Sequence, residues 1–228
     1  MQKPAERILN ALGIENTIEF HFREIFLNHG MKIAVTGGIA TGKSTVSKLL
    51  ATCLKTSALN ADLICRDLMN KGQPGWHGIY QTWGERFMDA EGRIERRLLR
   101  ETIFAEKTIR LELERILHPL VRAEIGKSVL EKMITGEDLL VEVPLLFEVG
   151  WQGDFDWIVT VFATEITCVQ RIISRDKVTE PDARSILAAQ MPVGCKALLA
   201  DSVIDNSGLW THTCLQVYHL AGCLREKC

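Results

Sequence analysis

Residues 37–45 read GGIATGKST and place three glycines, a lysine and three hydroxyl side chains within nine positions. Glycines let a backbone turn several N–H groups toward one anion, and a lysine beside them adds a mobile positive charge. The spacing Gly37-x4-Gly42-Lys43-Ser44 is the pattern with which proteins cradle nucleotide phosphates. We therefore predict that this loop binds a nucleoside triphosphate, with Lys43 on the β- and γ-phosphates and the Ser44 hydroxyl as a ligand of Mg²⁺.

The segments on either side of the loop support this prediction. Residues 31–36, MKIAVT, form an apolar run that predicts a strand, and Val46, Leu50 and Leu54 recur at helical spacing. A helix there would also direct its positive amino-terminal end toward bound phosphates. The order of strand, loop and helix argues against a glycine turn with an incidental lysine.

Two acidic residues follow other apolar runs at positions where chemistry is expected. Because ligands of parallel α/β sheets lie beyond the carboxyl ends of the strands, Asp62 and Glu142 should lie near the loop. Asp62 could accept the proton of an attacking hydroxyl, or it could cap the helix LICRDLMN, with Arg66 as its i,i+4 partner. Glu142 could help to hold water or Mg²⁺, or it could be a solvent-side strand residue. The spacing leaves both choices open.

Two arginines lie four residues apart in the stretch TEITCVQRIISRD. Arg171 and Arg175 should share one helix face, from which they could close over bound phosphates as a lid. The alternative is a solvated basic face that Glu165 and Asp176 partly neutralise. The following stretch, KVTEPDAR, predicts a turn between two helices, which would suit a hinge.

Five apolar runs must position these residues, namely KIAVTG, TSALN, DLLVEVP, DWIVTVFA and DSVIDN. Helical patterns separate them, which predicts an α/β fold with a parallel five-stranded sheet. About 75 residues of helical character lie between Asp62 and Glu137, far more than one crossover needs. We interpret them as a helical insertion, in which Pro119 is expected to break one helix.

The composition of the 228-residue chain excludes several classes of protein. The net charge of −2 gives no overall attraction to nucleic acid or anionic membranes, and no apolar run approaches the roughly 20 residues that span a bilayer. Seven scattered cysteines without a C-x-x-C pair indicate reduced thiols in the cytoplasm. Residues 1–30 precede the first strand, match no catalytic pattern, and are interpreted as an extension of unknown role that the activity does not need.

Across nearly all of residues 32–208 the chain resembles dephospho-CoA kinases. The matching stretches are TGGIATGKST, NADLICRDLM, GRIERRLLRETIF, LHPLVR, VPLLFE, QRIISRD and ADSVIDNSG. The resemblance implies a P-loop kinase domain over residues 31–228, with an acceptor-binding insertion at about 62–135 and a lid at about 170–185. It also implies transfer of the γ-phosphoryl group of ATP to the ribose 3′-hydroxyl of dephospho-CoA, with Mg²⁺ accompanying ATP. The expected partners are these small molecules, and the expected state is a monomer or weak homo-oligomer.

The resemblance implies roles for individual residues. Asp62 would be the catalytic base, assisted by Lys43 and Arg175, and Ser44 would bind the metal. The acceptor-region arginine maps to Arg96, although Arg97 beside it leaves the register open. The implied ATP-binding residues are Gly37, Gly38, Ala40, Thr41, Gly42, Lys43, Ser44, Thr45, Arg171, Arg175 and Asn206. The implied acceptor-binding residues are Thr36, Asp62, Arg66, Arg96, His118, Pro144 and Leu145.

Two positions depart from the family pattern. The family usually has glycine at the position of Ala40, where a methyl group is tolerable if the residue keeps a negative φ. It usually reads Asp-Ala-Asp where this chain has Asn60-Ala61-Asp62, and the missing carboxylate would weaken an outer-sphere contribution to Mg²⁺. Two other functions remain open, a kinase for another small molecule such as a nucleoside monophosphate, and a nucleotide-gated switch. No guanine-reading N-K-x-D motif supports the switch.

Overall fold

A parallel sheet forms the centre of the computed structural model, which describes residues 30–226. Within that range the sheet has five strands in the order β2-β3-β1-β4-β5. The strands are β1 (Lys32–Thr36), β2 (Ser57–Asn60), β3 (Leu139–Glu142), β4 (Trp157–Phe162) and β5 (Ser202–Asp205). Each lies within one of the five apolar runs, so the predicted α/β fold with a five-stranded parallel sheet is confirmed.

The strand register brings the carboxyl ends of three neighbouring strands together. Glu142, the last residue of β3, pairs with Val35 of β1 on one side and with Asn60 of β2 on the other. The chain therefore leaves all three strands at one edge, where the residues after β1, β2 and β3 meet. This edge is where ligands of parallel α/β sheets bind.

Helices cover both faces of the sheet. They are α1 (Lys43–Leu54), α2 (Ala61–Leu68), α3 (Pro74–Trp83), α4 (Arg96–Ala105), α5 (Lys107–Thr135), α6 (Glu165–Asp176), α7 (Glu180–Ala188), α8 (Val193–Leu199) and α9 (Trp210–Arg225). Residues of α1 and α9 pack with Ile33 and Val35 in one core, while residues of α2 and α5 pack with Ala34 in another. Alternate residues of β1 thus enter opposite cores, which explains why its three central residues, Ile33, Ala34 and Val35, are all apolar.

A third apolar core lies among the helices between β2 and β3. It joins α3, α4 and the first half of α5 through Ile79, Leu99 and Leu113, with Phe87 from a short 3-10 helix (Gly84–Phe87). This core makes residues 61–135 a packed helical layer with an interior of its own.

The prediction that Pro119 breaks a helix is wrong, because Pro119 lies inside the 29-residue helix α5. Proline removes one backbone hydrogen bond and strains the preceding turn. Apolar packing on both sides offsets that loss. Leu113 and Leu117 lie in the third core before the proline, and Val121 and Ile125 lie in a sheet core after it.

The turn predicted at KVTEPDAR is confirmed. Helix α6 ends at Asp176, and α7 begins at Glu180 after Thr179, whose side chain accepts a hydrogen bond from the backbone N–H of Asp182. No helix in residues 30–226 is long and apolar enough to cross a membrane. The predicted extension lies outside the described residues, apart from Gly30.

Candidate active site

The loop after β1 has a backbone that requires glycine at two positions. Gly37 has φ 150° and Gly42 has φ 89°, values that side-chain-bearing residues rarely adopt. A Cβ atom on Gly37 would lie 2.4 Å from the carbonyl oxygen of Val161, and one on Gly42 would lie 2.3 Å from Nδ2 of Asn206. These glycines let the loop pass directly against β4 and the residue after β5.

Ala40 occupies the left-handed region with φ 59°, so the negative φ that would make its methyl group tolerable is not found. The reason is the curvature of the loop, which directs the Ala40 carbonyl toward Nη1 of Arg171 at 3.1 Å. The residue also packs against the core formed by Val169, Ile172 and Ala183. A left-handed alanine costs about 1–2 kcal/mol.

Arg171 and Asn206 fix the loop from outside. The guanidinium of Arg171 donates to the carbonyl of Ala40 and, through Nη2, to the carbonyl of Asn206 at 2.8 Å. The buried amide of Asn206 donates to the carbonyl of Thr41 at 2.8 Å and accepts from the Thr213 hydroxyl at 3.0 Å. Both residues therefore shape the loop, and their direct contact with ATP remains a prediction.

Gln190 is a loop contact that the sequence did not reveal. Its Oε1 accepts a hydrogen bond from the backbone N–H of Ile39 at 2.9 Å, across 151 residues of sequence. It follows α7 in the stretch AAQMPV, which matches no motif. Only the folded chain shows that this side chain reaches the loop.

Lys43 lies at the start of α1, inside the curve of the loop. Its Nζ donates to the Gly38 carbonyl at 2.7 Å, so the ammonium is held beside the backbone that would cradle phosphate. Burial lowers the pKa of Lys43, and the nearby carboxylate of Glu142 opposes that shift. A phosphate oxygen would take the place of the carbonyl with a stronger, charge-assisted bond.

Ser44 and Glu142 form an oxygen-rich pair beside Lys43. The Ser44 hydroxyl donates to Oε1 of Glu142 at 2.8 Å, and Glu142 is only 5% exposed. The alternative that Glu142 is a solvent-side strand residue is therefore wrong, because β3 lies between two other strands and beneath helices. A hydroxyl next to a carboxylate is a donor set that suits Mg²⁺, which prefers oxygen ligands.

Asp62 is the second residue of α2, and it does not cap that helix. The cap is Asn60, whose Oδ1 accepts a hydrogen bond from the backbone N–H of Leu63 at 3.0 Å. The capping alternative for Asp62 is wrong, because β2 ends at Asn60 and the helix begins at Ala61. Asn60, which stands where the family usually has aspartate, thus caps the helix as well as aspartate would.

The carboxylate of Asp62 faces the same cleft as Lys43. Burial raises the pKa of Asp62, while the positive charges of Lys43 and then Arg66 lower it. By surface area Asp62 is exposed, although protein atoms surround its carboxylate within the cleft. Water therefore still reaches the carboxylate and limits the shift of its pKa.

Arg96 begins α4 and joins it to the helix that carries Asp62. Its Nη2 donates to the Arg66 carbonyl at 2.9 Å and to Oδ1 of Asn70 at 3.0 Å. Arg97 instead forms an exposed pair with Glu101 at 3.1 Å. Of the two neighbouring arginines, Arg96 is therefore the one directed toward α2.

The remaining residues predicted to bind the acceptor separate into two places. Pro144 lines the cleft, and its carbonyl accepts a hydrogen bond from the buried hydroxyl of Thr36 at 3.2 Å, with Leu145 next in the chain. His118 does not line this cleft. Its ring lies edge-on to Trp151 at 5.8 Å in a different groove, and burial lowers its pKa.

The two arginines predicted for the lid have different surroundings. Unlike Arg171, Arg175 is half exposed and makes two 2.8 Å bonds to the carboxylate of Asp176. Glu165 instead binds Arg184 of α7 at 2.6 Å. In the alternative of a solvated basic face, Asp176 is therefore a partner of that face, whereas Glu165 pairs with Arg184.

Together these residues line a cleft of about 670 Å³ at the carboxyl edge of the sheet. Its lining combines the positive groups of Lys43, Arg171 and Arg175 with the carboxylates of Asp62 and Glu142. A polyphosphate can lie against the loop while a hydroxyl group approaches Asp62, which is an arrangement suited to phosphoryl transfer. The predicted residues that line the cleft are Ala40, Gly42, Lys43, Ser44, Thr45, Asp62, Pro144, Arg171 and Arg175.

Comparison with known proteins agrees with this geometry. A sequence model of the family described as dephospho-CoA kinase matches residues 31–211. The dephospho-CoA kinase of Desulfotalea psychrophila is 38% identical over 197 residues, covering 86% of this chain and 99% of the relative. That of Arabidopsis thaliana is 35% identical over 177 residues, covering 77% of this chain and 76% of the relative.

Solved structures share the fold. A protein from Thermus thermophilus aligns with a TM-score of 0.73 and 27% identity, covering 87% of this chain and 98% of that structure. The dephospho-CoA kinase of Campylobacter jejuni aligns with a TM-score of 0.65 and 24% identity, covering 86% of this chain and 98% of that structure. Because its identity is only 24%, the similarity to the Campylobacter jejuni structure shows a shared fold alone.

Proposed function

The chain belongs to the dephospho-CoA kinase family, and we propose that Asp62 activates the acceptor hydroxyl in the reaction of that family. The protein converts dephospho-CoA to coenzyme A with ATP, as a kinase. The phosphoryl group goes from the γ-position of ATP to the ribose 3′-hydroxyl. One observation carries the assignment of Asp62: its carboxylate shares one cleft with Lys43 and with the Ser44–Glu142 pair.

Asp62 positions the hydroxyl and takes its proton. A ribose hydroxyl is a weak nucleophile unless its proton is transferred as the bond to phosphorus forms. In a loose phosphoryl-transfer transition state that need arises late, so alignment of the oxygen matters as much as basicity. The Asp62 carboxylate accepts the hydroxyl's hydrogen bond, directs its oxygen at the γ-phosphorus, and receives the proton as transfer is completed.

The loop and its neighbours hold the nucleotide. Backbone N–H groups of residues 37–45 surround the phosphates, and Lys43 exchanges its bond to the Gly38 carbonyl for one to a phosphate oxygen. Ser44 and Glu142 would hold Mg²⁺, directly or through water. When bound, the ion neutralises charge that develops on the phosphate oxygens.

The acceptor site and the lid are assigned from the contacts of Arg96 and Arg175. The helical layer at about residues 62–135 contains Asp62 and would hold the rest of dephospho-CoA. Arg96 would take part from its position beside α2, where it bonds to the Arg66 carbonyl. Arg175 would be the lid arginine of residues 170–185, because it lines the cleft and its protein partner is the adjacent Asp176. Arg175→Ala should then lower turnover more than it raises the Michaelis constant for dephospho-CoA.

The cellular setting follows from the thiols and the substrates. All six cysteines in the described part of the chain are free, which suits a reducing compartment. We place the reaction in the cytoplasm, on small-molecule substrates, in a monomer or weak homo-oligomer.

The experiment compares wild type with Asp62→Asn by mass spectrometry of dephospho-CoA incubated with Mg·ATP. Wild type should add one phosphoryl group, and Asp62→Asn should reduce the rate by about 10²–10⁴-fold while still binding ATP. Asp67→Asn, on the same helix and exposed, is the matched control and should stay active. Full activity of Asp62→Asn would exclude Asp62 as the base.

The raised pKa of Asp62 predicts how both the reaction rate and the stability of the protein depend on pH. Burial raises the pKa of Asp62 above its ordinary 3.8, so the carboxylate loses its charge at a higher pH than a free aspartate. The rate should fall as the pH drops through that raised value.

Because the folded protein binds this proton more tightly than the unfolded chain, ionisation of Asp62 opposes folding as the pH rises past 3.8. Asp62→Asn should therefore be at least as stable as wild type at neutral pH.

A further inference from the structure

Lys196 is a fully buried lysine to which the reaction assigns no role. It lies on α8, and its residue exposure is 0%. Removing an ammonium group from water is unfavourable unless the protein supplies close partners, and a hydrophobic side chain of similar size would often stabilise the fold as well. Its presence therefore calls for an explanation beyond packing.

The ammonium of Lys196 is bound by the turn that follows β3. Its Nζ donates to the Pro144 carbonyl at 2.7 Å and lies 2.8 and 3.0 Å from the two carboxylate oxygens of Glu148. Glu148 also accepts a hydrogen bond from the backbone N–H of Met191 at 3.2 Å. One buried cation thus ties both ends of the Pro144–Glu148 turn to the segment that leads into α8.

The backbone of Lys196 is fixed as well. Its carbonyl accepts a hydrogen bond from the buried hydroxyl of Thr160 on β4 at 3.1 Å. Lys196 is therefore anchored to the sheet through its backbone carbonyl and to the turn through its ammonium. The Pro144 carbonyl in turn receives a second bond, from Thr36 of β1.

This turn forms a wall of the cleft. Pro144 lines it together with Asp62, Lys43 and Glu142, and the half-exposed Leu145 follows. Under the proposed function, the acceptor hydroxyl binds in this cleft, which both Asp62 and Pro144 line. The positive charge of Lys196 also lies near enough to Lys43 to lower its pKa.

We propose that Lys196 is a positioning residue, which holds the Pro144–Glu148 turn at the distance from Asp62 that the acceptor requires. The proposal rests on the function proposed above, because it treats the turn as part of the acceptor site. Lys196 touches no reacting atom and acts through the Pro144 carbonyl and the Glu148 carboxylate. Its loss should therefore affect the acceptor more than the nucleotide.

The test measures Michaelis constants for both substrates in Lys196→Met and Glu148→Gln. Lys196→Met keeps the length of the side chain and removes the charge, and Glu148→Gln removes the carboxylate but leaves the bond to Pro144. In Lys196→Met the constant for dephospho-CoA should rise about tenfold or more, while that for ATP changes less than about threefold. Glu148→Gln should change the same constant by less, and the double variant should be no worse than Lys196→Met alone.

Lys32→Gln is the matched control. It removes a half-exposed ion pair with Asp156, which lies on the same connection between β3 and β4 but outside the cleft. Both of its Michaelis constants should equal those of wild type. Lys196→Arg should not restore the acceptor constant, because a planar guanidinium cannot occupy the space of the ammonium.

Three outcomes decide the proposal. A purely structural lysine would lower the melting temperature and leave both constants unchanged, which would overturn the proposal. If Lys196→Met does not fold, Glu148→Gln carries the decision, and an unchanged acceptor constant in that folded variant would overturn it equally. Failure of wild type to phosphorylate dephospho-CoA would instead reject the proposed function itself.

Discussion

The loop at residues 37–45 and the helical layer at residues 61–135 are built in different ways. We call them the nucleotide side and the acceptor side, after the proposed function. On the nucleotide side, side chains from distant parts of the sequence hydrogen-bond to the loop, namely Arg171, Gln190 and Asn206. On the acceptor side, helices α3 to α5 surround an apolar core that contains Phe87 and Leu113. Ion pairs there, such as Arg86 with Glu106, lie at the exposed surface.

This difference should make the loop rigid and leave the helical layer able to adapt its shape. Directional bonds to backbone atoms fix a loop that must match the phosphates closely, and they do so before the nucleotide arrives. Apolar packing is less directional, and exposed ion pairs add little stability. We therefore expect the acceptor side to tolerate movement and the nucleotide side to resist it.

The largest effect on the acceptor side should come from Leu113→Ala. Leu113 is 7% exposed, and loss of its side chain should cost about 3–4 kcal/mol through the cavity that it leaves. Hydrogen exchange should then increase across residues 61–135, while ATP binding persists. Leu130→Ala, 63% exposed on the same helix, is the control. Equal acceleration of exchange in the phosphate loop would show that the two sides are one cooperative unit.

On the nucleotide side, Lys43→Ala should reduce phosphoryl transfer about 10²-fold or more, which is about 2.7 kcal/mol of transition-state stabilisation. The fold should survive, since Lys43 bonds to the Gly38 carbonyl and not to core residues. Lys48→Ala, exposed on the same helix, should keep full activity. Near-normal turnover of Lys43→Ala at saturating ATP would refute the role given to Lys43.

At the junction of the two sides, Asn60→Ala should remove the cap of α2 and cost about 1 kcal/mol of stability. Asn60→Asp keeps an oxygen for the Leu63 N–H and should be nearly neutral. Thermal unfolding of the two variants measures the difference. If Asn60→Ala is as stable as wild type, the bond from the Leu63 N–H does not stabilise α2.

The smallest effect should be an increase in stability from Ala40→Gly. Glycine relieves the left-handed strain at φ 59°, while its greater freedom in the unfolded chain offsets part of the gain, which leaves about 0.5–1 kcal/mol. Ala123→Gly in the exposed interior of α5 should instead lower stability by about 1 kcal/mol. Thermal melts of both variants test the sign, and a destabilised Ala40→Gly would mean that the loop is not strained at this position.

The sequence predicted the features that depend on local pattern. Apolar runs indicated all five strands, and the spacing of Gly37, Gly42, Lys43 and Ser44 indicated the phosphate loop. The positions of Asp62 and Glu142 in the cleft followed from the rule that parallel strands end at one edge.

The features that it missed depend on contacts between distant residues. Pro119 stays helical because two separate cores hold the flanking turns, which no local propensity reports. Gln190 reaches the loop across 151 residues of sequence, and Lys196 lies 52 residues from Pro144. Asn60 rather than Asp62 caps α2 because the strand ends one residue before the helix begins.

Helix α5 has a mechanical consequence. Its 29 residues make a rod of about 43 Å, with one half in the helical layer and the other against the sheet. Pro119 has no N–H to bond the Arg115 carbonyl, so the rod is least stiff near its middle. Bending of α5 at Pro119 would let the helical layer shift while the half of α5 that packs on the sheet stays in place.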